Sequence, residues 1–153
     1  MMVPAFIRAI ARGAKCGGKA TLPMSAYLGA AQMAGFFSSR LPRPVEESPL
    51  QSPKVAAMTN ESERSLLTGL SHFGFGAAAG AVFGALRGVG AIPRGMLGGA
   101  AFGTALWAVR YAGLLPELSL HAQRKEAPSH PIVMLSAHWV YGVALARGFD
   151  HAA

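Results

Sequence analysis

Four stretches of the chain are apolar and nearly free of charge, and the charged residues gather between them. Residues 20–37 and 66–86 contain no Lys, Arg, Asp or Glu over 18 and 21 positions. A bilayer-spanning helix needs about 20 such residues. Residues 95–115 form a third run, interrupted only by Arg110. Residues 132–146 form a fourth of 15, which borrows Pro131 and the positions after Arg147, or else tilts or re-enters. The pattern predicts four spans. A soluble helical core rich in Gly and Ala competes with that reading, but charge confined to the gaps is the mark of a chain sorted by a bilayer.

The segments between the spans differ in character. In residues 1–19, Arg8, Arg12, Lys15 and Lys19 recur at helical spacing while Val3, Phe6, Ile7 and Ile10 gather on another face, and no acid precedes Glu46. This predicts an amphipathic helix lying on an anionic lipid surface. A cleaved organellar transit peptide remains open for a eukaryotic source. A secretory signal is disfavoured, because the apolar run starts late and ends in Phe36 and Phe37. Residues 38–63 carry Pro42, Pro44, Pro49 and Pro53 among Ser, Arg and Glu, which predicts an extended linker. Asn60 or Ser62 can cap the next helix, whose first turn holds Glu61 and Glu63. Gly88, Gly90 and Pro93 mark a short turn that should fold the second and third spans into an antiparallel hairpin.

Small residues recur at four-residue intervals along the predicted spans. Gly76, Gly80, Gly84 and Gly88 form one ridge, Gly95, Gly99 and Gly103 a second, and Gly17, Thr21, Ser25 and Gly29 a third. Ridges without side-chain bulk let helix backbones approach where lipid removes the hydrophobic drive for association. They serve packing within one chain or contact between copies in a homo-oligomer.

Composition narrows the class. The chain is 52% hydrophobic and 14% charged, against about 25% charged in soluble domains. Its net charge of +7 would suit nucleic acid, but the basic residues sit at predicted membrane boundaries, so anionic headgroups are the expected partner and nucleic acid is not. Lys and Arg divide seven against seven between the two sides, and the compact N-terminal four favour a cytoplasmic N-terminus. No nucleophile elbow, phosphate loop, zinc motif or carboxylate pair occurs, so no enzyme is expected.

The run His72-Phe73-Gly74, then Gly95-Met96-Leu97-Gly98-Gly99-Ala100, Leu114-Leu115-Pro116 and His138-Trp139-Val140-Tyr141-Gly142 resembles the order of features in YagU-like bacterial inner-membrane proteins of unknown function. The likeness covers residues 66–147. It implies an inner-membrane location, or an organellar membrane for a eukaryotic source, and no established chemistry.

His72 and His138 are the candidate chemical residues, because ionisable groups within spans are expensive. Each is the seventh residue of its span and precedes a glycine, Gly76 or Gly142, by four. In an even bundle both lie about 9 Å from the same boundary and can face each other. Three roles compete: hydrogen-bonding glue between helices, a relay for protons or solutes, and bis-imidazole ligation of haem b, with glycines making room for the macrocycle. No cofactor is assigned. Arg110 snorkels, with Glu117 or Tyr111 nearby, or pairs inside the bundle as an anion site. His121, His130, Glu117 and Glu126 show no metal-ligand spacing, and His151 belongs to the tail. Cys16, the single cysteine, is expected at the membrane edge beside Lys15.

The expected protein is all-α, an integral membrane four-helix bundle with glycine-rich helix packing and an N-terminal amphipathic interfacial helix. Its parts are residues 1–19, a first transmembrane helix at 20–37, the linker at 38–63 and a three-helix region at 64–153. The expected role is structural, accessory or assembly-related, alone, as a homo-oligomer or in a larger membrane complex. A small transporter using the histidines is the alternative, and a haem-binding subunit the third.

Overall fold

A computed structural model describes residues 2–36, 61–111 and 130–152, with backbone alone for residues 2–4, 61–68, 110–111 and 130. The described residues are all-α and form four helices: α1 (Met2–Met33), α2 (Glu61–Gly88), α3 (Met96–Tyr111) and α4 (His130–His151). Residues 37–60, which hold most of the linker, and residues 112–129, with Glu117, His121 and Glu126, lie outside the described residues, as do the side chains of Arg110 and His130.

The expected boundary between an interfacial segment and a first span does not exist as a break. A single helix of 32 residues runs through it and carries Pro23 inside. The reason is packing. Gly13, Cys16, Gly17, Ala20 and Thr21 all face inward, so the first half of α1 is joined to the bundle along its length and does not lie apart on a surface. Cys16 is accordingly buried, with its Sγ 3.6 Å from the position a Cβ on Gly148 would take, well inside the bundle.

Glycine allows the close approaches. A methyl group added at Gly80 would lie 2.7 Å from the Cα of Gly17, and one at Gly13 would lie 2.9 Å from the Cα of Gly84. Ascending positions on α1 meet descending positions on α2, so the two helices are antiparallel. The same holds for α3 and α4: a Cβ on Gly99 would come 2.8 Å from the carbonyl carbon of Gly142, and one on Gly103 would come 2.8 Å from that of His138. No other residue fits these crossings without moving a backbone.

Close backbone packing pairs α1 with α2, α3 with α4, and α1 with α4. The expected α2–α3 hairpin is therefore replaced by a different neighbour order, with α1 and α4 at the centre. The rings of Phe83 on α2 and Phe102 on α3 still meet, 5.2 Å apart and edge-on, and Phe83 packs likewise on Phe149 of α4 at 5.7 Å. Phe83 is fully buried and joins three helices at this point. Tyr141 of α4 donates a 2.6 Å hydrogen bond to the Gly76 carbonyl of α2, and its helix runs parallel to α2.

Helix ends are closed by glycine. At the end of α1, Gly35 has φ +77°, its N–H reaches Gln32 O and the N–H of Phe36 reaches Ala31 O. At the end of α2, Gly90 has φ +75°, and the N–H groups of Gly90 and Ala91 bond Arg87 O and Leu86 O. Both are the left-handed glycine terminus that satisfies the last carbonyls of a helix. By length and composition two helical segments suffice to cross a membrane, Gly69–Gly88 and Pro131–His151, while Met96–Val109 is shorter.

Candidate functional site

The antiparallel order brings the start of α1, the end of α2, the start of α3 and the end of α4 to one end of the bundle. Polar side chains concentrate there. Arg87, in the last turn of α2, turns inward and is only 6% exposed. Its guanidinium donates to Asp150 Oδ1 and, at 2.6 Å, to the Pro93 carbonyl. It also lies over the rings of Phe83 and Phe149, 5.7 and 5.5 Å from their centroids. The second oxygen of Asp150 accepts the Gly95 N–H at 3.0 Å. One carboxylate thus ties the end of α2 to the first residue before α3.

Above this tie lies a recess of about 320 Å³, lined by Arg12, Arg87, Arg94, Ile92, Phe149 and Asp150 among others. Arg12 is half-buried and holds its guanidinium 5.3 Å from the Phe149 centroid. Arg94 is exposed in the turn. Three guanidinium groups against one carboxylate leave the recess cationic, and the carboxylate is already engaged through both oxygens.

The other candidate residues are distributed as follows. Arg8, Lys15 and Lys19 are exposed on α1, whereas Arg12 turns into the recess and so does not belong to an outward basic face. Among the ridge residues, Gly80, Gly84, Gly99 and Gly103 meet helix backbones, and Gly76 meets the Thr21 side chain. Gly88 meets only the Phe6 and Ala9 side chains. Gly95 is not a packing residue: it precedes α3 with φ +85° and open space around it, and its N–H is bonded to Asp150. Gly29 also faces open space, while Ser25 shares a 3.2 Å hydrogen bond with Nε2 of His72.

His72 and His138 stand at nearly one height, since they lie four and three residues before the bonded pair Gly76 and Tyr141 on parallel helices. Their bonds go to different groups. His72 meets Ser25 of α1, and Nδ1–H of His138 donates to Met134 O at 2.7 Å in its own helix. The space beside their glycines is filled: Gly76 by Thr21, and Gly142 by the backbone of Gly99. The glycines therefore admit neighbouring helices, and the expected room for a macrocycle is taken.

The four-span count puts Arg12, Arg87 and Arg94 on one side of the membrane, Arg12 as a lipid-facing cation and the other two in the expected α2–α3 turn, without joining them in one recess. Asp150 was missed. It is the sole acid after Glu126, and an even helix count puts it at the same end as Arg87, which is the signal that could have found it.

No curated protein and no solved structure matches the chain. A family model covers nearly all of it, residues 7–153, and by that match the chain belongs to DUF6789, a family of unknown function.

Proposed function

We propose that this chain is an integral membrane protein that serves a membrane, or a complex within one, as a structural, accessory or assembly component and not as an enzyme. The observation that carries the reading is the outward-facing apolar surface of the two long apolar helices. Leu70 and Phe75 of α2 are 61% and 65% exposed, and Ile132 of α4 is 71% exposed; Val82 of α2 and Trp139 of α4 are exposed as well. In water each such side chain forgoes about 25 cal/mol per Å² of burial, and this many large apolar side chains exposed on two long apolar helices suit contact with lipid or protein. Acyl chains solvate them at no such cost. Packing through glycine backbones supports the same placement, as it is the means of helix association left when lipid tails match side chains in polarity. The YagU-like order of features over residues 66–147 is part of this proposal and favours an inner membrane.

Lys19 bears on the role in a complex. It is exposed and, two residues beyond the Gly17–Gly80 contact, stands about 15 Å in from the level of Gly88. A cation that deep needs protein or water beside it rather than acyl chain, as a partner subunit would provide. The test is an alkaline carbonate wash of native membranes, followed by detergent extraction after cross-linking from Lys19. The protein should stay with the membrane pellet and cross-link to a second polypeptide or a second copy. Recovery as a monodisperse protein without detergent would reject the membrane placement, and a chain that never cross-links would reject the complex.

A further inference from the structure

We infer that the recess at the Arg12–Arg87–Arg94 end of the bundle is a binding site for a phosphate group. Arg87, nearly buried, and Asp150, partly exposed, form its floor as an ion pair whose charges offset each other. Asp150 is engaged at both oxygens, by Arg87 and the Gly95 N–H, and three guanidinium groups against its single charge leave the recess net positive. The remaining two cations are available. Among the described residues neither Arg12 nor Arg94 makes a hydrogen bond or ion pair, and Arg12 is held in place over the Phe149 ring. Their positions on separate elements, α1 and the turn before α3, allow two planar donor forks to converge on one tetrahedral anion, the geometry guanidinium groups favour for phosphate. The volume of about 320 Å³ is at the small end of ligand pockets. It suits a phosphate with a short polar substituent, and Ile92 and Phe149 provide an apolar wall for the first carbons attached to it.

The phosphate can come from a lipid headgroup or from a soluble phosphate. The first source rests on the membrane placement proposed above, while the site itself does not. Purified full-length protein in a neutral, phosphate-free detergent is titrated with inorganic phosphate and, separately, with a short-chain phosphatidic acid, using intrinsic tryptophan fluorescence and calorimetry. Saturable binding of at least one probe is expected. Arg12→Gln and Arg94→Gln should each weaken it roughly tenfold, the loss of one charge-assisted contact, with a cooperative melt retained in both and a small drop in melting temperature only for Arg12→Gln, which loses its contact with the Phe149 ring. Arg8→Gln and Arg147→Gln, which remove equal charge outside the recess, should leave it within about twofold. Arg12→Lys should recover only part of the affinity, because an ammonium lacks the fork. Binding of the lipid probe alone assigns a headgroup, and equal binding of both assigns a soluble phosphate. Absence of saturable binding by either, or an equal loss in Arg8→Gln, overturns the site. Should the protein prove soluble without detergent yet bind inorganic phosphate through Arg12 and Arg94, the site stands and the membrane placement falls.

Discussion

At the scale of single residues, the glycines divide by what surrounds them. Gly80 and Gly99 have backbone atoms where a side chain would go, whereas Gly69 and Gly74 have nothing within 4 Å. Alanine should therefore act in opposite directions. Gly80→Ala and Gly99→Ala force helices apart and should destabilise the protein by about 1 to 3 kcal/mol. Gly69→Ala and Gly74→Ala gain helix propensity of up to about 1 kcal/mol and should be neutral or stabilising. Thermal melts in detergent of the four variants check this, and uniform behaviour would contradict the packing described. A second expectation concerns Tyr141, whose hydroxyl bonds Gly76 O at 2.6 Å within the core. Tyr141→Phe should cost about 0.5 to 1.5 kcal/mol, measurable in the same melts. Spacing in a sequence shows which glycines share a ridge but not which ridge finds a partner. Gly13 continues the Gly17, Thr21, Ser25 and Gly29 series by one four-residue step, but lies among the basic residues of the predicted surface segment, whereas Gly95 is in register with Gly99 while its backbone serves a helix start.

At the scale of helices, the polar and apolar pattern located three of the four elements closely, because charge at their edges and glycine after their ends are local signals. It put a boundary at residue 19, where α1 runs on as one helix. Lys15 and Lys19 interrupt the apolar run and look like the close of a surface segment, yet both project outward while the opposite face continues inward through Gly13, Gly17 and Thr21. A linear count cannot separate the two faces. Pairing of helices was less legible still. A turn of seven residues between α2 and α3 suggests that its flanks pack together, but the glycine surfaces that match are α1 with α2 and α3 with α4. Cross-linking distinguishes these arrangements. With Cys16 replaced by Ala, a Ser25→Cys, His72→Cys double variant should be joined by a short thiol-reactive bridge, since the native side chains are 3.2 Å apart. A Tyr27→Cys, Ser136→Cys pair should need a longer bridge, because the native 2.8 Å is measured from the hydroxyl at the far end of the tyrosine ring. Failure of the first pair would remove the α1–α2 contact.

At the scale of the whole molecule, the cationic end joins Arg12, Arg87, Arg94 and Asp150 across 139 positions; an even helix count puts them at one end, and the structure gathers them around one recess. Each charge was visible, and their meeting depended on the up-and-down order of four helices. Asp150→Asn should be felt at all of them. It leaves Arg87, 6% exposed, without a counter-charge, and should destabilise the bundle by about 1 to 3 kcal/mol, given that the carboxylate is itself partly in contact with solvent. A melt in detergent checks this, and Arg87→Gln combined with Asp150→Asn should recover part of the loss. The position of Asp150 in the chain has a bearing on how the molecule is made. α1 and α2 carry matching glycine surfaces and can pair as soon as both have left the ribosome. Arg87 emerges with them and has no acidic partner in that pair among the described residues. It must wait, hydrated, until α3 and α4 have been synthesised and Asp150 arrives more than sixty residues later. The tie therefore forms only once α4 has docked, and until then Arg87 stands as an uncompensated cation at that end of the bundle.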